Sequence, residues 1–179
     1  MSPPCDHGDV TSTASPVREP AWQVSRGAIG LWITEGIIET VVFALGTVAF
    51  LVFVPASVGG PVPFLRWAVP VLVVVDAVVS IGVRPRLRYR VHRWEVTDEA
   101  VYTLTGWLSR TWTLVPIARI QTVDVTRGVM QQVFGLASVA VLTASSEGTV
   151  RVPHLEAGVA QRVADDLARR AAQVRDQAT

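Results

Sequence analysis

From Ile29 to Val83 nearly every position is apolar, and the run is broken once, by the Pro/Gly-rich stretch Pro55-Ala56-Ser57-Val58-Gly59-Gly60-Pro61-Val62-Pro63. The two halves, residues 29–54 and 65–83, are each long enough at ~1.5 Å per residue to cross a ~30 Å hydrocarbon core as a helix. The pattern therefore predicts a hairpin of two transmembrane helices over 29–83. After Arg84 it changes to short alternating runs rich in Val, Thr, Trp and Ile, the signature of strands. Strands are expected near 91–97, 100–105, 108–115, 120–126, 139–145 and 149–152. Turns fall at Asp98-Glu99, Gly106 and Ser146-Glu147-Gly148, and 128–136 breaks the alternation as a short helical or irregular crossover. From Leu155 the period becomes helical: Val159, Ala160, Val163, Ala164, Leu167, Ala168 and Ala171 form one apolar stripe, with Glu156 in the first turn and Arg169 and Arg170 near the end. The fold class is thus a membrane α-helical hairpin plus a β-rich domain, an antiparallel curled sheet or barrel capped by a C-terminal helix, which is the PH-like architecture.

Composition sharpens this. Half of the 179 residues are apolar and 17% are charged, too few charges for an average domain in water. Between Gly27 and Arg66 the only ionisable side chains are Glu35 and Glu39. A cleavable signal peptide is rejected, because the apolar run is too long for one and the tail before it carries Asp6, Asp9 and Glu19 instead of a basic segment. Residues 1–28, rich in Ser, Thr and Pro at their start, read as a disordered cytosolic tail, residues 29–83 as the hairpin and 84–179 as a cytosolic domain. Arginine decides the orientation. Arg84, Arg86, Arg88, Arg90 and Arg93 follow the second span, Arg18 and Arg26 precede the first, and the link offers only Arg66. Both termini are expected in the cytoplasm, with the domain at the inner face of the membrane. The run Arg84, Arg86, Arg88 and Arg90 is also a candidate for lipid headgroup contacts. The single cysteine, Cys5, excludes an internal disulfide. It sits in Cys5-Asp6-His7-Gly8-Asp9, which has metal-ligand residue types without the paired spacing of a zinc site.

Three acids interrupt the spans: Glu35, Glu39 and Asp76. An acid at mid-membrane costs roughly 2.5–3.5 kcal/mol, against ~0.3–0.6 kcal/mol returned by each Val or Leu, so the Val-rich second span just tolerates Asp76. Glu35 and Glu39 share a helix face, and Glu39 and Asp76 fall at similar depths. Facing carboxylates require a proton or a cation supplied by a partner. Two readings stay open: a polar intramembrane interface or ion path, and acids placed near the boundary or simply packed. Beside them Gly36, Thr40 and Ala44 form a small-residue stripe suited to close approach by another helix.

The stretch Val115-Pro116-Ile117-Ala118-Arg119-Ile120-Gln121-Thr122-Val123-Asp124-Val125, followed by Val133-Phe134-Gly135-Leu136-Ala137 and Leu142-Thr143-Ala144, resembles the bacterial membrane-anchored PH-like domains of the YdbS/YdbT type. So does the order of parts: two spans, the strand Arg93-Trp94-Glu95-Val96-Thr97-Asp98, then the two motifs, over about 31–171. The resemblance implies a PH-like domain carried on a membrane hairpin. One departure is that family members often carry Arg just before the Phe-Gly-Leu segment, where this chain has Gln131-Gln132-Val133. In physical terms Pro116 ends a strand, Arg119 and Gln121 are expected to hydrogen-bond loop backbone, and Gly135 supplies a positive φ. Pro116, Arg119, Ile120, Gln121, Val123, Phe134, Gly135 and Leu136 thus read as a structural clasp before a ligand pocket. Trp94, Trp107 and Trp112 read as core or membrane-interface anchors.

No Gly-rich phosphate loop, GxSxG elbow, HExxH or CxxC is present, and His92 and His154 stand apart from any cysteine. The expectation is a protein without enzymatic activity, cofactor or small-molecule substrate. Phosphoinositide-binding PH domains commonly use a basic loop between their first two strands; here Asp98-Glu99 would repel phosphate. Arg110, Arg119, Arg127 and Arg151 are scattered, so nucleic acid is not an expected partner. The expected partners are membrane lipids and a protein, either a second copy or a related membrane protein. The expected function is an interaction module at the inner face. The alternatives are an accessory subunit of a transport or export complex and an anionic-lipid sensor.

Overall fold

The computed structural model describes residues 19–106, 108–143 and 148–177. Trp107, the 146–147 turn and the Cys5–Asp9 cluster lie outside them. The chain opens with a two-residue strand β1 (Trp22–Gln23) and enters helix α1 (Gly27–Phe53). A short link leads to α2 (Val62–Ala77), which passes through a π-helical turn (Val78–Val83) into α3 (Arg84–Val91) without leaving helical geometry. The second helix therefore does not stop at Val83: the arginine run is its last two turns. Pro85 explains the π turn. It has no N–H to give to the preceding turn, and a local change of hydrogen-bond register accommodates the loss.

The link is braced from the second helix. Arg66 Nη1 donates to the carbonyls of Leu51 (3.1 Å) and Val54 (2.6 Å), satisfying acceptors that the end of α1 leaves open. Between the helices, Gly36 is in closest approach. A Cβ there would lie 2.8 Å from the Ser80 carbonyl oxygen, so the helix that approaches the small-residue stripe at this point is the second helix of the same hairpin. The apolar windows of both helices are only 6% buried. A core helix of that composition would be mostly covered; both helices are long and apolar enough to cross a membrane.

The remainder forms two antiparallel sheets. One runs β1-β2-β3-β4, with β2 at Arg93–Val96, β3 at Ala100–Gly106 and β4 at Arg110–Pro116. After a 3-10 turn at Ile117–Arg119 the second runs β5-β6-β7, with β5 at Ile120–Thr126, β6 at Leu136–Thr143 and β7 at Thr149–Glu156. A short helix α4 (Val129–Val133) connects β5 to β6, and α5 (Ala157–Gln177) closes the domain. Its stripe Ala160, Ala164, Leu167 and Ala171 is buried against Val101, Val115, Ile117, Ile120, Val139, Val141 and Val152. Glu156 ends β7 instead of opening the helix.

Residues 19–28 differ most from the sequence expectation. They were expected in a disordered tail, yet Trp22 pairs with Trp94 and Gln23 with Arg93 on β2, and Ala21 N–H donates to Glu95 Oε2 at 3.0 Å. The membrane hairpin is thus inserted between two neighbouring strands of one sheet. Both of its lower ends lie on the domain's side.

The hairpin geometry makes a specific prediction. Gly36→Val forces a methyl-bearing side chain into the Ser80 backbone and should lower stability by about 1–3 kcal/mol, read by unfolding in mixed micelles. Gly46→Val, where nothing lies within 4 Å, should be near neutral. Equal effects of the two would show that the close approach is absent.

Candidate functional site

Where the hairpin meets the sheets, Val24, Ala28, Leu31, Trp32 and Leu136 form a second buried cluster, ringed by Tyr89, Trp94, Met130 and Phe134. Two glycines permit it. A Cβ on Gly30 would sit 2.9 Å from Phe134 Cε1, and one on Gly27 would sit 3.3 Å from Leu136 Cδ2. Gly135 turns between Phe134 and Leu136 with φ +66°, the left-handed conformation that glycine adopts without strain. The Phe-Gly-Leu motif therefore seats α1 on the domain, a role wider than fastening the crossover to its sheet.

The same joint walls one side of a cleft of about 870 Å³. Trp32 of α1, Arg88 of α3 and His92 form the helix side; Thr103 and Thr105 of β3, Thr111–Leu114 of β4 and Thr149–His154 of β7 contribute from the sheets. Arg88 Cζ lies 5.8 Å from the Trp32 ring centre, within cation–π range. The Trp32 ring also meets His92 at 5.3 Å, tilted, and His154 at 5.2 Å, edge to face.

His154 is held in an unusual place. Pairing on β6–β7 slips between Ala137–Leu155 and Val139–Val152, so β7 carries one extra residue, a bulge at Pro153-His154. There His154 takes φ 55°. Its carbonyl accepts from Ser25 N–H at 3.1 Å, linking β7 to the residue before α1. Gln131 fixes its tautomer. Gln131 Oε1 accepts from Gly128 N–H (3.0 Å), so Nε2 donates, to Ser138 Oγ (2.8 Å) and to His154 Nδ1 (3.2 Å). An accepting Nδ1 leaves the proton on Nε2. Burial chiefly, and then the nearness of two other groups that can carry positive charge, His92 and Arg88, pushes His154 down to about 4. His92 is lowered as well, chiefly by burial, although its Nδ1–H donates to the Arg88 carbonyl at 2.8 Å. Both rings are neutral at pH 7. Sequence reasoning treated these histidines as isolated; they are 62 residues apart and the fold brings both onto Trp32.

The structure places the other candidates unequally. Glu39 Oε2 meets Arg84 Nη1 at 3.5 Å, so the cation comes from the chain itself instead of from a partner. Glu35 is exposed. Asp76 does not pair with Glu39; its Oδ2, like Thr40 Oγ1, is buried without a hydrogen-bond partner among the described residues. Arg86 is exposed and turns back onto the Gly82 carbonyl. Arg90 is exposed, and Arg88 alone of the four points into the cleft. In the first motif Pro116 ends β4, Ile117 and Ile120 enter the core, and Val123 packs against it. Gln121 is the extra residue of a bulge on β5, between the Ile120–Thr143 and Thr122–Leu142 pairs. Arg119 and Gln121 are exposed and make no hydrogen bond among the described residues, so the expected backbone contacts are not formed.

Two apolar helices set into an antiparallel two-sheet domain with a C-terminal helix define a membrane-carried PH-like protein. The chain belongs to the bacterial PH domain family, whose sequence profile matches residues 40–171. It is similar to the UPF0699 transmembrane protein YdbS of Bacillus subtilis (strain 168), with 25% identity over 156 residues, covering 84% of this chain and 92% of that protein. No solved structure matches the chain.

Neutral His154 makes stability pH-dependent. Its folded value of about 4 lies below the ordinary 6.5, so between these values the unfolded chain binds more protons. The contribution is whole above pH 6.5 and is lost as pH falls towards 4. Wild type should lose roughly 2 kcal/mol more than His154→Asn over that window, solvent screening allowed for, by unfolding in detergent at fixed pH. Asn tolerates the positive φ. Identical pH slopes would contradict the buried neutral ring.

Proposed function

We propose that the chain is a non-enzymatic interaction module, anchored in the bacterial inner membrane by residues 29–83 with both termini cytoplasmic, that holds a protein partner at the inner face. Its displayed domain is residues 84–179, completed by strand β1. Orientation is supported by the arginines: five follow the second span at 84–93 and the link has only Arg66, whose guanidinium is engaged by the end of α1.

One observation carries the partner reading. β4 and β7 are each one of the two edge strands of their sheets, and both border the same cleft. A free edge offers unpaired backbone donors and acceptors to an extended segment, which is the basis of recognition by strand addition. On β4, Trp112 and Leu114 stand two apart and are 44% and 50% exposed, side-chain anchors for such a segment. The partner class is a second copy of the chain or a related membrane protein.

A second reading, an accessory subunit of a transport or export assembly, rests on the unpartnered Asp76 Oδ2 and Thr40 Oγ1 inside the hairpin, since polar atoms in hydrocarbon gain from an added donor.

The test is affinity isolation of the intact chain from gently solubilised membranes. The partner reading expects a stoichiometric protein that is lost from the double variant Trp112→Lys, Leu114→Lys while its melting is unchanged. Retention by that variant, or recovery of lipid alone, refutes it. Loss on Asp76→Asn instead favours the second reading.

A further inference from the structure

We infer that the cleft binds a phosphate group, with Arg88 from the helix side and Arg151 from β7 as its cationic ligands. Arg151 lies on β7, far in sequence from the arginine run, and the fold brings it to the cleft that Arg88 enters from α3. None of the residues lining that cleft is acidic. Among the described residues neither arginine makes an ion pair, whereas Arg84 is tied to Glu39 and Arg86 to the Gly82 carbonyl. Arg88 uses only the face of its guanidinium, against Trp32, which leaves its N–H edge for a ligand.

Two guanidinium groups in a partly enclosed site with no acidic residue among its described lining favour an anion, and the planar guanidinium fork suits phosphate oxygens in particular. Threonines of β3, β4 and β7 add hydroxyl donors around the same space. Arg88 disfavours protonation of His154 across the same space, so the charge at the cleft is that of its arginines.

The location bears on the source. Trp32 lies in the second turn of α1 and Arg88 near the end of α3, so the site is level with the point where the hairpin enters the domain. A phospholipid headgroup or a free phosphate ester presents the same chemistry there. This site does not depend on strand addition at β4, and either reading survives failure of the other.

The experiment uses the intact chain, delipidated in mild detergent, titrated calorimetrically with dioctanoyl phosphatidate and with inorganic phosphate. Saturable binding is expected, weakened about tenfold or more by Arg88→Gln and by Arg151→Gln, as for loss of a charged hydrogen bond, and unchanged by Arg86→Gln. Phosphatidate binding without competition from phosphate assigns the site to lipid; equal potency of the two assigns it to a free phosphate ester. If Arg88→Gln disturbs folding through Trp32, Arg151→Gln decides alone, because its side chain is exposed. Failure of both ligands to bind, or full affinity in a folded Arg151→Gln variant, overturns the site.

Discussion

The seating of α1 on the Phe134–Leu136 turn is the contact on which the rest of the architecture depends. A membrane helix and a β-domain joined by an ordinary linker would move independently. Here the first turn of α1 is pressed against the domain so closely that Gly27 and Gly30 have no room for a larger side chain. Val24, Ala28, Leu31, Trp32 and Leu136 are each at most 4% exposed, and burying a large apolar side chain contributes about 1.5–3 kcal/mol. Several such side chains at one joint outweigh the ordering cost of the short entry segment. Pairing of β1 with β2 closes the loop from the other side, so the hairpin leaves and re-enters a single sheet.

That closure also shapes the cleft. Because the helices are fixed against the domain, Trp32 and Arg88 become part of a wall that the sheets complete, and the bulge at His154 turns its ring onto the same tryptophan. Gln131 makes a neutral bridge between Ser138 and His154. The hydrogen bonds of that bridge need a histidine without a proton on Nδ1, which agrees with the depressed basicity of the ring. Burial and bonding thus act in the same direction. The two arginines of the cleft make no ion pair among the described residues.

Within the hairpin the polar groups divide by depth. Glu39 reaches an arginine at the end of the second helix, an arrangement that draws the acid toward the boundary. Asp76 sits further in, one turn before Ser80, whose hydroxyl donates to the Asp76 backbone carbonyl at 2.7 Å and leaves the carboxylate unsatisfied. The π turn follows directly and absorbs the break at Pro85.

Periodicity alone determined the hairpin, the strand-rich domain and the C-terminal helix, because a 29–83 apolar run and an α5 stripe are local consequences of one-sided or complete burial. The strand end at Pro116 and the turn at Gly135 were also legible, since those residues impose backbone conformations wherever they stand. Extension of the second helix through the arginines was not, because charge at a membrane boundary marks topology and says nothing of where the backbone stops being helical. Nor was the strand at Trp22–Gln23, whose two residues gain their conformation only by pairing with a strand some 70 positions away. The cleft was the least visible feature. Trp32, Arg88, His92, Arg151 and His154 share no local pattern, and they meet only because packing at the membrane joint brings α1, α3 and β7 to one place.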